Sequence, residues 1–402
     1  MSEMRHGRQR LTSSSDVPPP PEEAPEQVPA QIEASARIHR ALNNLFFFRN
    51  SRSFINWFGF FESMSFSILH LIFTTILLIG VMVLFMKFDI YAEFSLLYIG
   101  PPFLFLYLSN IVSTLTFALT GNPDDKLWSL LLLNDRNTPD VEMIDEHILD
   151  FSKHFSSKML NFRVFVACFT LISVVSRVAV DLQRLNQHAS PFYCGCITVF
   201  WCYLCIDFVI SNGFIYIAAE SCKIHVSIYM KFLNRSGNNL APLLEHHKRL
   251  IKVVENLSKK YSWYLASQNM ICYMSAFFTL TSVRAADIHR TGPLFMLGAP
   301  DFMCLVMVEL PVVWTILLVL KDLTLQIDKI SAIVSEKSKL ALVSWHPRIA
   351  SDWINFARDI TRNTKGVYIY TRKVNSGLLL CFGMQTFGVM VLGILISKSL
   401  PL

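Results

Sequence analysis

The chain has 402 residues, of which 52% are hydrophobic and 13% aromatic, with a mean hydropathy of +0.41. So apolar a composition excludes an ordinary soluble domain, because the apolar residues gather in long runs. The formal net charge of +6 does not point to nucleic acid either, since the basic residues crowd beside those runs.

Residues 1–35 are polar and proline-rich, with Pro18 to Pro21 in a row, and lack the apolar content for a core. They are expected to form a disordered cytoplasmic tail. No secretory signal opens the chain, as its first apolar run begins far from Met1. From Ala36 to Phe61, Ile38, Leu42, Leu45 and Phe46 oppose Arg37, Arg40, Arg49 and Arg52, the pattern of a helix lying on a membrane surface.

Seven spans follow by hydropathy, so the expected fold class is an all-α polytopic membrane protein occupying residues 36–402. The spans are Met64–Met86, Phe94–Leu119, Phe162–Asp181, Phe192–Ala219, Trp263–Val283, Leu294–Leu320 and Val374–Ile396. Pro101 and Pro102 in the second and Pro311 in the sixth predict kinks. No internal repeat is visible.

Orientation comes from the basic residues. The N-terminal region and the segments 121–163, 220–262 and 321–373 hold 30 of the 36 Lys and Arg. The opposite side holds Lys87, Arg184, Arg284, Arg290 and Lys398, and Arg177 falls within a span. The positive-inside rule therefore predicts a cytoplasmic N-terminus and, with an odd span count, an external C-terminus. That polarity is opposite to a G-protein-coupled receptor. The sequons at Asn234 and Asn256 fall on the cytoplasmic side, where they go unused.

The cytoplasmic segments carry apolar stripes at helical spacing. One is Leu243, Leu244, Leu250, Ile251, Val254 and Leu257; another is Leu323, Leu325, Ile327, Ile330, Ile333 and Val334. Such stripes need burial, so the spanning helices are expected to continue inward and pack together below the bilayer, the other reading being helices on the membrane surface. The nine Cys lie mostly inside apolar runs as small apolar residues. A disulfide from Cys194 or Cys196 is open, and Cys202-x-x-Cys205 lacks a second pair at zinc spacing, so no metal or other cofactor is expected.

Polar groups at membrane depth stand out next. Arg177 lies near the outer end of the third span, within reach of Asp181 or Asp301. Asp207 and Glu309 sit near mid-depth, where a buried charge is costly. Either the two acids share a proton or bind a cation, or each makes a separate helix-to-helix hydrogen bond in its protonated form. Gln385 is the one strongly polar side chain in the final span and predicts a partner helix or an aqueous path. No nucleophile elbow, phosphate loop or metal-ligand run is present, so an enzyme is not expected.

Two local stretches add to the layout. Leu257 to Leu265, LSKKYSWYL, leads into the fifth span with an aromatic and a small residue, Tyr261 and Ser262. Gly366 and Tyr368 precede a final helix carrying Gln385. Together with seven spans and an inward N-terminus, these resemble the insect gustatory and odorant receptor superfamily, as a divergent nematode or other non-insect relative. The departures are Ser258 at the position of a usual Asn, Leu378 and Leu379 in place of Thr-Tyr, and Thr386 in place of Phe.

The resemblance implies a ligand-gated, non-selective cation channel of the plasma membrane, in a sensory cell, built as a homo- or hetero-tetramer. Its final helix, 374–396, would line a central pore through Leu378, Phe382, Gln385 and Val389. A small-molecule pocket in the outer half would draw on Phe103, Ser173, Arg177, Phe200, Trp201, Tyr273, Phe277 and Phe302. The partners implied are that ligand, membrane lipid and sister subunits, with no nucleic acid. The rival expectations are a non-conducting scaffold or transporter of the same fold, or a metabotropic serpentine receptor.

Overall fold

A computed structural model describes residues 64–88, 103–116, 190–235, 240–288, 309–343, 347–363, 366–369 and 371–399, together with 154, 157, 158, 164, 167–175, 177–179, 181 and 182. The N-terminal tail, the amphipathic stretch after it, Pro101, Pro102, Asp301 and Phe302 lie outside the described residues. Eight helices and one small hairpin make up the described part. They are α1 (Met64–Phe88), α2 (Phe103–Thr116), α3 (Ala167–Ala179), α4 (Pro191–Arg235), α5 (Ala241–Ile288), α6 (Leu310–Val343), α7 (Pro347–Asn363), β1 (Tyr368–Ile369), β2 (Arg372–Lys373) and α8 (Ser376–Ser399). A helix is present in each of the seven stretches read as spans. Among the described residues, α4, α6 and the Ser376–Gly393 part of α8 are long and apolar enough to cross a membrane.

Local chemistry sets the helix starts. Pro191 and Pro347 open α4 and α7 at the position where the missing N–H costs nothing. Asn375 caps α8 by accepting the Leu378 N–H on its Oδ1 at 2.9 Å. At the far end of α4, Lys337 donates from α6 to the carbonyls of Leu233 and, at 3.1 Å, Asn234. These carbonyls have no intrahelical partner, and the ammonium also suits the negative end of the helix. Its Nζ lies 5.4 Å from the Trp353 ring centre, so one cation ties α4, α6 and α7 together.

The core is a bundle of α4, α5 and α6 that continues well past their apolar portions. Leu243, Leu250, Ile251, Val254 and Leu257 of α5 are buried there, with Leu323, Ile327, Ile330 and Val334 of α6. Leu325, expected in the same stripe, is 43% exposed and faces away. Helix α7 covers this lower bundle with Trp353, Phe356 and Ile360, spaced three and four apart on one face. His246 and His247 lie beneath Tyr229, with ring centres 5.5 and 5.6 Å away. Burial pushes both imidazoles down to about 4, so both are neutral at physiological pH.

Helices α1 and α8 behave differently. They are apolar on every side, and α1 leaves Ile68, Leu69, Ile72, Phe73, Ile76, Ile79, Val83 and Met86 about half exposed or more. So large a surface would be unstable in water but is at home against lipid tails. Cys196, one of the two Cys from which a disulfide was open, is a free thiol. Among the described residues the hairpin is the one departure from helix. It occupies part of the stretch read from sequence as a cytoplasmic connection, and Val374 leaves it by donating its N–H to Val367 O at 2.9 Å.

Candidate functional site

The last helix is seated by its approach. Tyr368 of β1 is held by Ser258 of α5, whose Oγ donates to Tyr368 O and accepts from Tyr368 N, both at 2.8 Å. Thr324 of α6 accepts the Val367 N–H at 3.2 Å, and Lys373 pairs with Asp328 at 2.7 Å. A Cβ on Gly366 would stand 2.7 Å from Thr324 Cγ2 and 2.8 Å from Lys373 Cε, so only glycine lets the strand lie this close to α6. Sequence reasoning singled out Gly366 as a motif position and Ser258 as a departure from one; the geometry supplies the physical reason for the glycine and gives the serine a role.

Beyond this clamp, α8 leans on α5. Leu378 and Leu379 are buried, while Phe382, Gly383, Thr386 and Val389 are half-buried. Tyr273 of α5 donates its hydroxyl to Phe382 O at 2.9 Å, and that carbonyl also accepts from Thr386 at 2.8 Å. The opposite face carries Leu380, Met384, Phe387, Leu392 and Leu395, all more than half exposed, and Gln385 is exposed among them. The expected pore set therefore divides. Leu378 and Phe382 pack on their own bundle, Val389 lies at the boundary, and Gln385 points away.

Four of the expected pocket residues come together between α2, α3 and α4. Phe103 stacks on Phe200 at 6.0 Å and meets Trp201 edge-on at 4.8 Å. The Arg177 guanidinium lies 5.6 Å from both the Phe103 and Trp201 ring centres. It is fixed by Asp181, one helical turn away at 3.1 Å, and Asp181 in turn accepts from Thr198. Ser173 is buried one turn before Arg177. Tyr273 stands apart from this cluster, at α8, and Phe277 is on the same helix one turn further along.

The cluster itself is filled, with Phe103, Arg177 and Trp201 at most 1% exposed. Open space lies on its flank. A cleft of about 830 Å³ runs between α1 and α4, lined by Phe73, Leu77, Gly80 and Val81 on one side and Phe192, Cys196, Phe200 and Tyr203 on the other. Phe200 belongs to both the cluster and the cleft. The volume fits a small organic molecule and the lining is almost wholly apolar.

The two buried acids have different neighbours. Asp207 of α4 accepts from Asn110 Nδ2 of α2 at 2.9 Å. Asn110 also touches His70 of α1 at 3.5 Å, and His70 meets the Tyr203 hydroxyl at 3.1 Å. Alongside, Ser109 donates to Gln268 of α5 at 2.7 Å. Glu309 faces Ser275 of α5 instead.

No family model matches the sequence, and no curated protein matches it. Solved structures do match by shape. One is an insect olfactory receptor, OR5 from Machilis hrabei in complex with eugenol, which superposes with a TM-score of 0.59 at 11% identity. The superposition covers 91% of this chain and 99% of the other. The chain has the insect olfactory-receptor fold.

Within that olfactory-receptor fold, sequence reasoning missed His70, Asn110 and Gln268 as partners in the buried polar layer. Asn110 carried a signal, being an amide inside an apolar run, and the search for a partner to Asp207 leads to it. Ser258 was noted only as a departure from pattern. Its contact with a backbone 110 residues away leaves no trace in local sequence.

Proposed function

We propose that the chain is a chemosensory receptor of the plasma membrane in which a small apolar molecule opens a non-selective cation pore. The single observation that carries this reading is α8. It is apolar all round, clamped at its start, and exposes one face bearing Gln385 that its own subunit leaves uncovered. The olfactory-receptor fold of the chain supports the same reading. Four copies meeting along α8 would cover that face and leave the glutamine amide beside water, with Val389 at the boundary as the apolar constriction next to it. Seven spans, with the N-terminus inside and the C-terminus outside, complete the arrangement.

The ligand seat is the α1–α4 cleft on the flank of the Phe103–Trp201–Arg177 cluster. Its apolar walls suit small aromatic or terpenoid molecules, and Tyr203 offers a hydroxyl. The neighbour's eugenol makes small phenols the natural first probes. Expression in oocytes with a panel of such volatiles tests the reading. Stimulus-evoked currents whose permeability ratios change in Gln385→Ala support it. Currents with unchanged ratios, or an epitope tag that finds Leu402 in the cytosol, would sink it.

A further inference from the structure

The polar layer around Asp207 is over-supplied with oxygen. Asn110 and Thr114 lie one turn apart on α2, and Asp207 and Ser211 one turn apart on α4. Residues four apart share a helix face. The Asn110–Asp207 hydrogen bond at 2.9 Å turns those two faces toward each other. Phe103 meets Phe200 seven residues earlier on both helices, so α2 and α4 run parallel and Thr114 and Ser211 fall in the next layer. All four residues are at most 1% exposed.

Their hydrogen bonding is incomplete. Asp207 Oδ1, Asn110 Oδ1, Thr114 Oγ1 and Ser211 Oγ have no hydrogen-bond partner among the described residues. The hydroxyls are the telling pair. Elsewhere in the bundle, Ser113, Thr116, Ser221 and Thr324 each donate to the carbonyl four residues back, at 2.7 to 3.0 Å. Thr114 and Ser211 do not, although the carbonyls open to them belong to Asn110 and Asp207. A buried oxygen left unpaired is expensive, and four in one place call for something bound.

The charge narrows the choice. Asp207 is fully buried at membrane depth, and no Lys or Arg pairs with it among the described residues; Arg177 is committed to Asp181. The titratable groups facing it from the packed elements are His70 of α1, Tyr203 of α4 and Tyr264 of α5. One carboxylate and three neutral oxygens form a hard-ligand set. With a monovalent cation the site is neutral, whereas a divalent ion would leave a net positive charge in the low-dielectric interior. We infer that Asp207, Asn110, Thr114 and Ser211 form a buried sodium site between α2 and α4. It lies on the same helix as Phe200 and Tyr203 of the cleft, so occupancy ties α2 to the wall of the ligand seat.

The site is independent of conduction, and its test reads folding of the full-length purified chain. Melting in detergent is followed as sodium chloride replaces choline chloride at constant ionic strength. The expected result is a saturable rise in Tm of about 2 °C or more, since a ligand bound only to the native state stabilises it. Asp207→Asn is expected to abolish the rise. Thr114→Ala with Ser211→Ala should raise the half-saturating sodium about tenfold, through loss of two ligands, and serves where Asp207→Asn does not fold. Ser221→Ala, a back-bonded hydroxyl outside the layer, should leave the rise intact. Equal melting in sodium and choline overturns the site. So does a sodium effect that persists in Asp207→Asn, or a wild-type Tm that follows pH and ignores sodium, which would assign Asp207 a proton instead.

Discussion

Ser258 and Tyr368 satisfy one another completely: one hydroxyl serves as donor to a backbone carbonyl and acceptor from the same residue's N–H. Ser258→Ala leaves both backbone groups of Tyr368 short of a partner, and an unmade hydrogen bond in a half-buried site costs about 1–2 kcal/mol. A lower Tm with limited proteolysis appearing at the hairpin is the expected outcome. Gly366→Ala should also destabilise, by about 1–3 kcal/mol, because the new methyl meets Thr324 Cγ2. Thr324→Ser deletes that carbon while keeping the hydroxyl that holds Val367 N. Adding it to Gly366→Ala should recover part of the lost Tm, and a double-mutant cycle measures the coupling. Gly366 stood out in the sequence, but the contacts that explain it and Ser258 did not. A serine beside a tyrosine in LSKKYSWYL gives no hint of a backbone that returns to it much later in the chain.

At the scale of elements, the apolar runs and the stripes that continue beyond them were legible because burial imposes a period on a helix. Leu243, Leu250, Val254 and Leu257 are buried where that period puts them. The hairpin was not legible, since two-residue strands are too short to show an alternation. Nor was the face of α8, whose apolar residues run all the way round and single out no direction. An experiment can read that face directly, because the exposed thiol of Cys381 sits on it. If copies meet along α8, mild oxidation in membranes should give disulfide-linked dimers on non-reducing gels, absent in Cys381→Ser. Among the described residues the other exposed thiol is Cys168 on α3, which serves as the control and should be dispensable for the band.

For the molecule as a whole, the lower bundle is where acid should act. His246 and His247 have folded values of about 4 against an ordinary value of 6.5, so the unfolded chain binds more protons between those limits. Their contribution to stability is complete above pH 6.5 and is lost progressively as the pH falls toward 4. The expected result is a Tm that drops over that window, with a shallower drop in His247→Phe, which keeps the ring against Tyr229 but cannot be protonated. Melting curves at a series of pH values check it.

Helix α5 has 48 residues and so extends about 72 Å, against a hydrocarbon core of about 30 Å. A chain built on such a rod reaches further beyond the hydrocarbon core than that core is thick. Soluble reagents such as nanobodies can thus grip the part that a detergent belt leaves bare, and leave the apolar cleft between α1 and α4 untouched.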